Sequence, residues 1–155
     1  MKFFIVVVII LVVFILFRNH QNKVLAQENI QLGEQFLAKN KVAEGVQETD
    51  SGLQYQILHQ GEGTEQPSAK STVTVHYHGT LLDGTVFDSS LVRGKPISFA
   101  LNQVIKGWTE GVQLMTVGDK FKFFIPASLG YGNNAAGKIT PGSLLIFEVE
   151  LLAVE

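Results

Sequence analysis

The rhythm of hydrophobic and polar positions changes twice along the chain, and each of the three stretches predicts a different element. Residues 3–17 read FFIVVVIILVVFILF, without a polar atom in any side chain. As a helix this run spans roughly 22 Å at 1.5 Å per residue. Apolar on every side, it predicts a membrane helix rather than a core helix. Residues 22–44 carry a narrower stripe, with Leu25, Leu32 and Phe36 on one side, Ile30 and Leu37 nearby, and Gln, Glu, Lys and Asn elsewhere. That pattern predicts a polar rod, a stalk stopped at Gly45 by a left-handed cap. Thr49, Asp50, Ser51 and Gly52 then read as a turn.

Beyond Gly52 the period falls to two. Leu53, Tyr55 and Ile57 alternate with polar residues, as do Val73, Val75 and Tyr77. Leu81-Leu82-Asp83-Gly84 supplies a hairpin turn into Thr85-Val86-Phe87. Ile97, Phe99 and Leu101 alternate again, then Phe121, Phe123 and Ile125, and finally Leu145, Phe147, Val149 and Leu151. One short helix is expected over residues 106–115, with Trp108, Val112 and Met115 at helical spacing. Five or six antiparallel strands with one helix to cover their apolar face make an α+β domain. The divisions expected are 1–21 for the membrane or signal segment, 22–46 for the stalk and 47–155 for the folded domain.

Composition narrows the function classes. A chain of 155 residues holds one ordinary domain and an appendage. With 12 basic against 14 acidic residues there is no bulk field to attract nucleic acid. The absence of cysteine removes thiol catalysis, thiolate zinc sites and disulfide scaffolds. The apolar N-terminus is expected to be an uncleaved anchor. A secretory signal cut after Ala26 is the alternative, although Arg18, His20 and Lys23 crowd the stretch before that point.

Several tempting motifs fail on context. Gly132 to Lys138 matches the start of a phosphate loop, but Ile139 follows where Ser or Thr and a helix are needed. His76 and His78 share a strand face without an obvious third metal ligand, so a solvated face is expected there. Ser89 and Ser90 lack a nucleophile-elbow sequence, and the carboxylates show no glycosidase-like pairing. What remains is an aromatic set, Tyr77, Phe87, Trp108, Tyr131 and Phe147, with Asp88 beside Phe87. Such a set is ordinarily core. Two details argue for more. Gly107 and Gly111 flank Trp108 at a helix cost of roughly 1 kcal/mol each against alanine, which points to a close approach. Asp88 beside a buried aromatic needs a partner such as a tyrosine hydroxyl.

The blocks Val73-Thr-Val-His-Tyr-His-Gly79, Asp83-Gly-Thr-Val-Phe-Asp-Ser-Ser90 and Val104-Ile-Lys-Gly-Trp-Thr-Glu-Gly-Val112 follow one another, then Ile125-Pro, Leu129-Gly-Tyr-Gly132 and Leu144-Leu-Ile-Phe-Glu-Val-Glu-Leu-Leu152. In this order they resemble the FKBP-type peptidyl-prolyl cis/trans isomerases, over essentially all of residues 52–155. Residues 32–40 and 52–55 also resemble the stalk-to-domain junction of the macrophage infectivity potentiator subgroup, with a membrane segment standing where that subgroup has its dimerising helices.

The resemblance implies a curved antiparallel half-barrel wrapped around the helix, and an Xaa-Pro bond as substrate. It places Trp108 under the prolyl ring, with Tyr77, Phe87, Val104, Ile105, Ile97, Ile139 and Phe147 around it. It further implies that the Tyr131 hydroxyl and the Ile105 N–H hold substrate carbonyls, and that Asp88 bonds Tyr77. No cofactor or metal is implied. Partners would be proline-containing unfolded polypeptides and macrolide inhibitors. Ile97 stands where an aromatic wall residue is common, and Thr140 where a proline often lies. A non-catalytic chaperone module on the same fold is the alternative function. A monomer or weak dimer is expected, held at a bacterial inner membrane by residues 3–17. The positive charges flanking the apolar run come close to a tie. The resemblance to envelope folding factors favours a domain facing the periplasm or exterior, with the cytoplasm as the alternative.

Overall fold

The computed structural model describes residues 2–155, and Lys2 by its backbone alone, so the N-terminal charges of the orientation argument lie outside it. Helix α1 runs unbroken over Lys2–Asn40. Its first part is the apolar run, whose side chains are all exposed; Ala26 is the first residue it buries. The expected division between 21 and 22 therefore falls inside one continuous helix.

Its second part is not a free stalk, as the polar rod suggested. Gly33 lies against Leu144, the rings of Phe36 and Phe124 are 5.7 Å apart, and Asn29 donates to the Pro141 carbonyl at 2.8 Å. Phe36, Ile30 and Leu37 are half-buried against the chain's own domain, whereas Leu25 and Leu32 of the stripe stay exposed. The helix also ends earlier than Gly45. Fully buried Gln54 donates to the Leu37 carbonyl at 2.9 Å and accepts from the Asn40 side chain at 2.9 Å, holding the last turn in place. Gly45, at φ +76°, serves instead in the turn entering the next strand.

Seven strands follow among the described residues: β1 (Val46–Glu48), β2 (Gln54–His59), β3 (Thr72–Leu81), β4 (Val86–Ser89), β5 (Ile97–Ala100), β6 (Lys120–Ile125) and β7 (Leu145–Val154). Two short helices lie among them, α2 (Ser90–Arg93) and α3 (Lys106–Val112). The strands form one antiparallel sheet in the order β1-β2-β6-β7-β3-β4, with β5 also paired to β3. The three-residue β1 was not foreseen, because its length carries no period.

The long central pair is β3 with β7, in register from Val73↔Val154 to Leu81↔Leu145 across a bulge. On the sheet's inner face lie Val73, Val75, Tyr77, Phe123, Ile125, Phe147 and Val149, all buried. Helix α3 covers them with Trp108 and Val112. It stops at Val112, and Met115 reaches the core from the turn after it. The two helix glycines explain how closely the layers meet. A Cβ at Gly107 would stand 2.6 Å from Ile125 Cγ2, and one at Gly111 2.6 Å from Phe123 Cε1.

The Gly111→Ala variant is expected to lose about 1–2 kcal/mol of stability. The gain of roughly 1 kcal/mol in helix propensity is outweighed by forcing a methyl into a filled core. Chemical denaturation of the full-length chain in detergent checks this, and a stabilised variant would contradict the packing described.

Candidate active site

The pocket is built on Trp108. The indole is buried in the first turn of α3, and three rings meet it nearly edge-on: Tyr77 at 5.4 Å between centroids, Phe147 at 5.3 Å and Phe99 at 5.6 Å. Phe87 stands edge-on to Phe147 at 5.3 Å, an arrangement that suits the charge distribution of aromatic rings. Strand pairing brings these residues together, since Phe147 lies opposite Gly79 on β3 and Gly79 lies opposite Asp88 on β4. Gly79 is required there, because a Cβ would stand 2.6 Å from Phe87 and 2.8 Å from Phe147.

These rings enclose a cavity of about 690 Å³. Tyr77, Phe87, Asp88, Val104, Ile105, Trp108, Tyr131, Ile139 and Phe147 line it, so nine of the ten residues singled out from the sequence share one site. Ile97 does not. It packs on the core beside Val75, and Phe99, two residues further along β5, takes the wall position. Alternation put both on one face of the strand, and the pattern alone does not say which of the two reaches the opening.

The polar groups sit at the rim. The Tyr77 hydroxyl donates to Asp88 Oδ2, Arg93 Nη1 pairs with Asp88 Oδ1, and Arg93 Nη2 donates to the Tyr77 oxygen at 3.0 Å. The guanidinium also lies 5.8 Å from the centre of the Tyr77 ring. Burial works against charge on Asp88. Hydrogen bonds from Tyr77 and Arg93, with the charge of Arg93, outweigh that effect and hold the carboxyl below its ordinary range. Burial first, and then the bond to Asp88, push the Tyr77 phenol up. Arg93 escaped the sequence reading, because it sits on α2, a single turn closed by Gly94 in the left-handed region and without hydrophobic period.

Ser90 fixes the backbone beneath this cluster. Fully buried, its Oγ accepts from the Tyr77 N–H at 2.8 Å and lies 2.9 Å from His76 Nδ1. His78 Nδ1 is 2.9 Å from Ser89 Oγ, which also caps α2. Both histidines thus engage serines on the outer face of β3. Deeper in, Trp108 Nε1 is buried without a protein partner, and the Ile105 N–H has no backbone acceptor among the described residues. Tyr131 is partly exposed on the loop after β6, which continues through a tight bridge between Ala136 and Ile139 rather than into a helix. The phosphate-loop match accordingly lacks its helix. The assembly is a largely apolar, aromatic-floored cleft with a few donors, a compact Asp88–Arg93–Tyr77 cluster at one side and Lys138 in its lining.

Comparison with known proteins agrees with this geometry. Residues 63–152 match the family described as FKBP-type peptidyl-prolyl cis-trans isomerase, and residues 14–57 match the domain amino-terminal to it. The chain is 58% identical over 130 residues to an FKBP-type peptidyl-prolyl cis-trans isomerase, FkpA, of Aeromonas hydrophila, covering 84% of this chain and 48% of that protein. It is 47% identical over 131 residues to an outer membrane protein MIP of Legionella longbeachae, covering 84% and 56%. The crystal structure of FkpA from Escherichia coli superposes with a TM-score of 0.84 at 42% identity, covering 88% of this chain and 64% of the other. A peptidyl-prolyl cis-trans isomerase from Pseudomonas syringae gives 0.77 at 38%, covering 83% and 95%. The chain thus spans about half the length of the curated relatives it matches.

The rim cluster makes a direct prediction. In Arg93→Ala the Asp88 carboxyl loses a donor and a cation, and its titration midpoint is expected to rise toward the ordinary value of about 3.9. Carboxyl-carbon NMR over the acid range reads this midpoint, and an unchanged value would show that Arg93 does not hold the charge.

Proposed function

The chain belongs to the FKBP-type peptidyl-prolyl cis-trans isomerase family, and on that premise we propose that it accelerates rotation about Xaa-Pro bonds in unfolded or partly folded polypeptides. The observation that carries the reading is the cavity floored by Trp108 and walled edge-on by Tyr77, Phe99 and Phe147, apolar except at its rim.

The chemistry suits such a cleft. The barrier of roughly 18–20 kcal/mol is the loss of amide resonance as the C–N bond twists, and spontaneous Xaa-Pro isomerisation takes tens to hundreds of seconds. A planar amide is more polar than a twisted one, so removing water costs the ground state more than the transition state. Trp108 supports the prolyl ring, and Phe87, Val104, Ile139 and Phe147 exclude water around it. The Ile105 N–H and the Tyr131 hydroxyl hold the carbonyls on either side, so that the flanking chain stays fixed while the bond turns. Asp88 and Arg93 act on the reaction only by fixing the Tyr77 ring. No covalent intermediate and no proton transfer to substrate takes part.

The apolar part of α1 is the one stretch among the described residues long and apolar enough to cross a membrane, and either a signal or an anchor fits it. We infer an inner-membrane anchor in a bacterial envelope, with the domain outside the cytoplasm. The exposure of residues 3–17 on every side supports the anchor, and the relative named an outer membrane protein supports the envelope. Phe36 and Gly33 of α1 pack on the chain's own domain while Leu25 and Leu32 stay exposed, and a monomer or weak dimer is proposed. Macrolide inhibitors are proposed as ligands of the same cavity.

The full chain in detergent is expected to accelerate isomerisation of prolyl peptides in a protease-free assay without added metal. Phe147→Ala should lower kcat/KM at least tenfold, about 1.4 kcal/mol, by opening the wall to water. A rate equal to the spontaneous one across several peptides would make the domain a binding module instead. The pH profile is expected to be flat between about pH 5 and 9. Asp88 titrates below its usual 3.9 and Tyr77 above its usual 10, so the cluster keeps one protonation state across that window. Activity lost through a single ionisation near neutrality would contradict these roles.

A further inference from the structure

The loop of residues 129–144 carries five of the residues that line the cavity, Tyr131 and Ile139 among them, and its outer side rests on α1. Contacts from Ala26, Asn29 and Gly33 make that seat. Asn29 Nδ2 donates to the Pro141 carbonyl at 2.8 Å and to Thr140 Oγ1 at 3.2 Å. Thr140 Oγ1 and Ser143 Oγ are 2.7 Å apart, and Ser143 Oγ also donates to the Thr140 carbonyl at 2.7 Å, which closes the turn on itself. Gly142, at φ +74°, lies so close to α1 that a Cβ would stand 2.2 Å from the Ala26 carbonyl oxygen.

The seat connects directly to the pocket. The Gly142 N–H donates to the Gly132 carbonyl at 2.9 Å, and Gly132 follows Tyr131 in the chain. On the other side Thr140 follows Ile139, which is buried in the cavity wall. A threonine at 140 supplies an acceptor that a proline there would lack, and a glycine at 142 permits both the backbone conformation and the helix contact. Beneath the loop, a second cavity of about 280 Å³ separates Ile30, Gly33 and Leu37 of α1 from Pro126, Ala127 and Gly132. Away from the close contacts at Gly142 and Leu144 the loop and the helix do not pack directly, and the polar clamp at Asn29 adds the hydrogen bonds that hold them together.

Resting on the isomerase reading, we propose that Asn29 is a positioning residue for the pocket, and that α1 sets the placement of Tyr131 and Ile139 through the segment of residues 140–142. The membrane-proximal helix is then a working part of the site. Asn29 touches no substrate. Its amide holds the loop so that the Tyr131 hydroxyl meets the substrate carbonyl in the twisted state, where small displacements cost rate rather than binding.

The test uses the full chain in detergent with Asn29→Leu, Asn29→Asp and Asn29→Gln. Leu removes the clamp, Asp keeps the shape without a donor, and Gln keeps the amide on a longer stem. With Leu or Asp, kcat for a prolyl peptide is expected to fall three- to tenfold with KM nearly unchanged, and Gln is expected to restore at least half of the loss. In a Tyr131→Phe background, Asn29→Leu should have a smaller further effect, limited to what passes through Ile139. Amide exchange at Gly142 should rise about tenfold in the Leu and Asp variants. Unchanged exchange overturns the proposal whatever the kinetics, and so does raised exchange with wild-type kcat. A wild-type chain without isomerase activity defeats the functional reading instead, and the exchange measurement still decides whether Asn29 holds the loop.

Discussion

The distance between α3 and β6 governs the site. Glycine at 107 and 111 lets the helix lie directly on Ile125 and Phe123, with no room for a methyl group between the layers. That contact puts Trp108, on the same helix between the two glycines, at the depth where Tyr77 and Phe147 reach it edge-on from the sheet. A wider separation would leave the indole without its supporting rings, and the cavity would lose its floor. Gly79 does the same work within the sheet, leaving space for Phe87 against Phe147. The pocket is thus made by omitting side chains at three places and crowding aromatic rings around the space that results.

The aromatic floor carries no charge, and the one paired carboxylate of the cavity lining is held in a cluster at its side. Asp88, Arg93 and the Tyr77 hydroxyl satisfy one another, so the carboxylate stays ionised although partial burial works against its charge, and the ring it holds stays in place. Ser90 anchors the same tyrosine from its backbone. What faces a bound chain is therefore nearly apolar, with a few donors at defined points. Such a surface favours an amide that has lost its polarity, and needs no acid or base to do so.

Much of this was legible in the sequence. Alternation along β3, β6 and β7 is strong because one face of each is buried, and the spacing of Trp108, Val112 and Met115 marked the covering element. The paired glycines around Trp108 were readable as a close approach because glycine inside a helix is costly without such a reason. The ordered motif blocks carried most of the pocket residues, though not Phe99 or Ile139. Three features were not readable. Strand β1 and helix α2 are too short to show a period, so Arg93 was overlooked. Ile97 and Phe99 share one face of β5, and only the fold decides which lines the cavity. The docking of α1 depends on Gly33, Gly142 and Thr140, whose significance lies in what stands opposite them rather than in any pattern along the chain.

The proposed mechanism has an Xaa-Pro bond turn because its planar form is disfavoured in a dry aromatic cleft, and not because a proton moves. The solvent deuterium isotope effect on kcat/KM for a prolyl peptide, measured with the full chain in viscosity-matched detergent solutions, tests it most directly. A ratio of about 1 is the result this account predicts; a ratio of about 2 or more would mean that proton transfer limits the reaction and would contradict it.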